Sequence, residues 1–80
     1  MPADIESRVR KSLVLFRNNA VKVDSAKLTD RERGVVELAK MYASDTESWI
    51  GKGDYVTAFS SIEYAHGLLD AIIKTRGLGE

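Results

Sequence analysis

Three stretches of the chain repeat apolar residues every three or four positions, and polar stretches separate them. In the first, Ile5, Val9, Leu13, Phe16 and Ala20 fall on one face, with Asp4 placed to cap the first turn. That spacing predicts an amphipathic helix over 3–21. Val14 and Leu15 point off this stripe, so they either widen the buried face or meet a second copy or a partner. The next segment, KVDSAKL, lacks a clear period and reads as a connection. The second helix, predicted over 29–51, starts at a Thr29-x-x-Glu32 capping box, in which each side chain satisfies a free backbone N–H. Its predicted face is Val35, Leu38, Ala39, Tyr42, Thr46, Trp49 and Ile50.

The third stretch has the clearest start and period. Gly53 breaks the preceding element and Asp54 is an N-cap residue. Tyr55, Ala58, Phe59, Ile62, Ala65, Leu69, Ile72 and Ile73 form a broad stripe that alternation by two would not produce. Lys74 and Arg76 favour the C-terminal dipole, and Gly77 and Gly79 supply the stop, giving a helix over 54–76. Short links favour antiparallel neighbours, so the expected fold is all-α: one domain over 1–80, an up-down-up three-helix bundle. At eighty residues the core is modest, so burial of Phe16, Trp49 and Phe59 matters and self-association would add stability.

Composition narrows function mainly by exclusion. Twelve basic residues balance twelve acidic ones, which argues against a general electrostatic grip on nucleic acid. The local exception is the first helix. Arg8, Arg10, Lys11 and Arg17 could contact phosphates, although a solvated face is the commoner meaning of such charge. No apolar run is long enough to span a membrane, and the polar start, MPADIESRVRK, does not read as a signal peptide. Cysteine is absent, which excludes disulfides and thiolate chemistry. A cytoplasmic protein without a resident cofactor is the expectation.

Candidate chemistry centres on the only histidine. Glu63, His66 and Asp70 are spaced to share one side of the third helix. Glu-x-x-His is a di-iron ligand pattern, but one histidine cannot build such a site within one chain, and no metal is assigned. A polar network is the better reading, with His66 held by Asp70, Asp45 or Tyr42, and with Asp45, His66 and Asp70 in reach of a common pocket. Ser60, Gly67 and Ala71 form a lane of small side chains that would let a helix or ligand approach the backbone. Ser60 and Ser61 lie near His66, but no nucleophile elbow or phosphate-cradling loop accompanies them. Gly51-x-Gly53 could bind an anion at a helix N-terminus, except that Asp54 brings negative charge to the same donors.

The segments YASDTESWIGK and GDYVTAFSSIEYAHGLLDA, carrying Tyr42, Asp45, Lys52, Gly53, Asp54, Phe59, Tyr64, His66, Gly67 and Asp70, resemble a family of small archaeal proteins catalogued as a domain of unknown function. The resemblance covers the second and third helices. It implies a left-twisted three-helix bundle in a cytoplasmic setting and no established activity, cofactor or catalytic residue. The same helix pair is similar to helical domains that accompany minimal nucleotidyltransferases. Those carry an arginine four to six residues ahead of a histidine, and none stands there before His66. The function expected is a non-enzymatic helical interaction or adaptor domain that self-associates. The alternatives are a small-ligand or metal-binding protein using Tyr42, Asp45, Glu63, His66 and Asp70, and, more remotely, an accessory domain contacting nucleic acid.

Overall fold

The computed structural model describes residues 4–78. It contains three helices, α1 (Ile5–Asp24), α2 (Asp30–Gly51) and α3 (Tyr55–Arg76). Each begins at the cap the sequence supplies. Asp4 accepts from the Ser7 N–H, Asp54 accepts from the Thr57 N–H, and Thr29 and Glu32 complete both halves of their capping box. Gly77, at a φ of 66°, closes α3 in the left-handed conformation, and its N–H returns to the last turn. Gly53, at a φ of 77°, turns the chain from α2 into α3. The predicted start at residue 3 and the stop at Gly79 lie outside the described residues.

Side-chain ties fix the directions. Arg8 lies over Phe59 and Ser12 meets Glu63, so α1 and α3 run parallel. Arg17 pairs with Glu47 and Lys40 with Asp24, so α1 and α2 run antiparallel. Arg76 reaches back to Glu32 across the α2–α3 pair, which is likewise antiparallel. The bundle is therefore up-down-up. The core holds Val9, Leu13, Phe16, Ala20 and Val23 from α1, Val36, Ala39 and Ala43 from α2, and Ala58, Ile62, Ala65, Leu69 and Ile72 from α3.

Two sequence expectations shift. Helix α1 runs on to Asp24, where the pattern predicted a connection from residue 22. Val23, fully buried, is one more turn of the α1 stripe, and Ser25 caps it. In α2 the buried face is Val36, Ala39, Ala43 and Thr46, while Leu38 is exposed and Val35, Tyr42, Trp49 and Ile50 are only partly covered. The helix rolls toward α1 because it serves two neighbours, and small side chains occupy its innermost positions. Phe16 is buried as expected, whereas Phe59 and Trp49 lie at the core margin.

The three seams are unequal. Helices α2 and α3 pack extensively, α1 lies along α3, and α1 and α2 scarcely touch. The Cα framework measures 41 × 22 × 15 Å, so it is wider than it is deep, as two helices spread apart over a third would make it.

Candidate functional site

The only histidine faces α1. His66 is half-buried, and its Nε2–H donates to the Ser12 carbonyl at 2.8 Å. A carbonyl can only accept, so this contact fixes the proton on Nε2. The Phe16 ring meets the imidazole edge to face, with centroids 5.8 Å apart. One imidazole thus ties α3 to the middle of α1 by a polar and an aromatic contact.

Its expected acidic partners are elsewhere. Asp70 is exposed and pairs with Lys74 at 3.2 Å, one turn along its own helix. Glu63 is exposed and accepts weakly from the Ser12 hydroxyl at 3.4 Å. Tyr42 and Asp45 lie on the opposite flank of α3, toward Tyr64. The common pocket for Asp45, His66 and Asp70 is therefore corrected: α3 separates it into two flanks. Glu63 and Asp70, two turns apart, share nearly one line along α3, and that line faces solvent while His66 beside it turns to α1. Among the described residues no three His, Asp or Glu side chains converge as a metal site would require.

The flank with Tyr42 and Asp45 forms a cleft of about 280 Å³. Tyr42, Asp45 and Trp49 of α2 face Thr57, Ser60, Ser61 and Tyr64 of α3 across it. The Tyr42 and Tyr64 rings stand nearly perpendicular, at 75° and 4.7 Å between centroids. Trp49 carries the Lys52 ammonium 4.7 Å from its own ring centroid. Both cleft hydroxyls with a placed partner have spent their protons. Ser61 donates to the Tyr42 carbonyl at 2.7 Å, and Thr57 donates to Asp54 at 2.7 Å. Those two bonds from Thr57, backbone first and then hydroxyl, hold the Asp54 carboxyl below its ordinary range.

The sequence singles out Tyr42, Asp45, Trp49, Ser60, Ser61 and Tyr64, each for another reason, and does not group them as one wall. The signal was there in two heptad-spaced sets, Tyr42-Asp45-Trp49 and Thr57-Ser61-Tyr64. Only the packing of α2 on α3 shows that they meet. The small lane of Ser60, Gly67 and Ala71 is exposed throughout, and a Cβ on Gly67 would meet nothing within 4 Å. It is not a packing lane inside this chain.

The basic residues of α1 do not gather into one patch. Arg10 pairs with Glu6 at 2.9 Å and Arg17 with Glu47, both bordering α2. Arg8 lies over Phe59 on the α3 side, 5.5 Å from the ring centroid, and Lys11 is exposed.

Between α1 and α2 runs the open seam. Two adjoining clefts of about 480 and 330 Å³ are floored by Leu13, Phe16, Ala20, Ala43 and Ile50. Val14 and Val21 form the α1 edge, 54% and 69% exposed, and the Arg17–Glu47 and Lys40–Asp24 pairs bridge over it. Among the described residues no helix is long and apolar enough to cross a membrane.

A family described as a protein of unknown function, DUF357, has a model that matches residues 14–78, most of the chain, and the chain belongs to that family. No curated protein matches it.

Proposed function

We propose that this DUF357 member is a non-enzymatic helical interaction domain whose working surface is the open α1–α2 seam, and that a second copy of the chain occupies it. The observation that carries this reading is the seam itself: the α1 and α2 backbones come close at few points, and exposed Val14 and Val21 edge two clefts above the buried Leu13, Phe16, Ala20 and Ala43. Side chains of that kind on the rim of an apolar groove gain by burial against another helix, about 0.8 kcal/mol per buried methylene.

Charge complementarity supports a second copy as the occupant. Arg10, Val14, Arg17, Val21 and Asp24 recur by four and three along one edge of α1, a heptad seam. An antiparallel pairing about a two-fold axis near Arg17 and Asn18 sets Val14 against Val21 of the partner subunit. The same axis sets Arg10 against Asp24 of the partner subunit, where they would exchange their exposed pairs with Glu6 and Lys40 for each other. The two copies of Arg17 meet near the axis, each already neutralised by its own Glu47.

Sedimentation equilibrium of the full chain tests it. A concentration-dependent dimer is expected, and Val14→Glu with Val21→Glu leaves a folded monomer, checked by circular dichroism. Replacing Arg10→Asp in one chain and Asp24→Arg in another should impair each alone and restore association when they are mixed. A chain that stays monomeric at millimolar concentration overturns the reading.

A further inference from the structure

The cleft on the other side of α3 has a chemistry of its own, independent of whether the α1–α2 seam is occupied. From its walls we infer a binding site for an organic cation, an alkylammonium group seated between Tyr42, Trp49 and Tyr64 with Asp45 as counter-charge. Four observations support this assignment. Perpendicular tyrosine rings and a nearby indole offer faces with negative π potential, the arrangement that attracts a weakly hydrated cation. Asp45 is exposed at the cleft and forms no ion pair with any described residue, whereas Asp24, Glu32, Glu47 and Asp70 all do. The Ser61 and Thr57 hydroxyls have committed their protons, so they turn lone pairs toward a guest, and the exposed Ser60 hydroxyl can rotate to do the same. No lysine, arginine or histidine is among the lining residues, so the charge they carry is that of Asp45.

Trp49 supplies a precedent within the chain. The Lys52 ammonium already sits over its ring, so the indole attracts a cation, and a guest would use the opposite face or displace that ammonium. At about 280 Å³ the cleft is below the usual range for metabolite pockets, so it suits a head group rather than a whole cofactor. Such a head group arrives either as a free small cation or as the methylated end of a lysine side chain.

Titration of the full chain by NMR, following the Trp49 indole N–H and the Tyr64 amide, separates these cases. The probes are choline, its neutral isostere 3,3-dimethylbutan-1-ol, and Nα-acetyl-Nε-trimethyl-lysine amide. Both cations should shift the two resonances with millimolar affinity while the isostere does not. Asp45→Asn, which touches no core residue, should weaken cation binding about fivefold, and Tyr64→Ala by a similar factor, the scale of one partly desolvated cation–π contact. Tighter binding of the lysine derivative assigns a side-chain guest, and tighter binding of choline a free one. Equal shifts from the neutral isostere, no shift from either cation, or an Asp45→Asn variant that binds as well as the parent would each overturn the assignment.

Discussion

The α2–α3 seam and the α1–α2 seam draw on the same helix, α2, and end up opposite in character. Along α2 and α3 the core residues are largely small: Ala39, Ala43 and Thr46 on one helix, Ala58 and Ala65 on the other. Small side chains let two backbones approach, and here the Ser61 hydroxyl reaches the Tyr42 main chain directly. Thr46, with no exposed surface, satisfies its own hydroxyl on the same carbonyl at 2.9 Å. The tight Gly53 turn closes one end, and Arg76 clamps Glu32 at the other, with 2.7 Å between Nε and Oε2. Among the described residues the polar links between α1 and α2 are surface ion pairs. Exposed pairs contribute little, so that seam is bridged without being closed. Close packing makes one seam structural, and its lack leaves the other available.

The contrast can be broken most forcefully in its closed half. Ala39→Leu, which forces extra volume into the α2 face of the core, should cost about 1–3 kcal/mol in urea denaturation. The same enlargement at Val14, on the open edge, should leave monomer stability within about 0.5 kcal/mol. Comparable losses at both positions would mean that the two seams do not differ.

His66 connects α3 to α1. His66→Ala should cost about 1–2 kcal/mol by removing the bond to the Ser12 carbonyl and the edge contact with Phe16. Asp70→Asn should be nearly neutral, because Asp70 serves only the exposed pair with Lys74. A large Asp70 effect would restore the His–Asp network that the geometry contradicts.

Gly67 lies mid-helix with open space where a Cβ would go. Gly67→Ala should therefore stabilise the chain by up to about 1 kcal/mol, read as a rise in thermal midpoint. Loss of stability would indicate an object packed on the lane in solution.

The smallest expected effect is at the clamp, and it depends on pH. The Arg76 guanidinium first, and the Thr29 N–H second, pull the Glu32 carboxyl from 4.5 to about 2. A carboxyl depressed in the folded state stabilises above its unfolded value, and that contribution fades as pH falls from 4.5 toward 2. Acid titration of the denaturation midpoint should lose part of its slope in Glu32→Gln over that window. An unchanged slope would show that the clamp contributes nothing to closing the pair.

How far the sequence reached differs by residue. Thr29, Glu32, Asp54 and Gly77 carry their roles in local chemistry, so the helix ends they cap were legible, and so was the stripe on α3. The end of α1 was less legible, because Val23 extends the stripe by a single apolar residue set between polar Lys22, Asp24 and Ser25. The site was legible only in part. Periodicity places Glu63, His66 and Asp70 near one side of a helix, but whether three such residues meet depends on which way that side turns. Tyr42 and Asp45 were singled out for a partnership with His66, and their neighbours are instead Tyr64 and Trp49.

By itself the sequence determined three amphipathic helices, their caps, their turns and their antiparallel succession, because those follow from backbone hydrogen bonding and apolar spacing within a few residues. Only the tertiary structure decided which seams close. That outcome depends on the roll of each helix about its axis, set by the balance of all the side chains packing at once. The same roll sent His66 toward α1, brought Tyr42 and Tyr64 face to edge across a cleft, and left Val14 and Val21 beside an open groove.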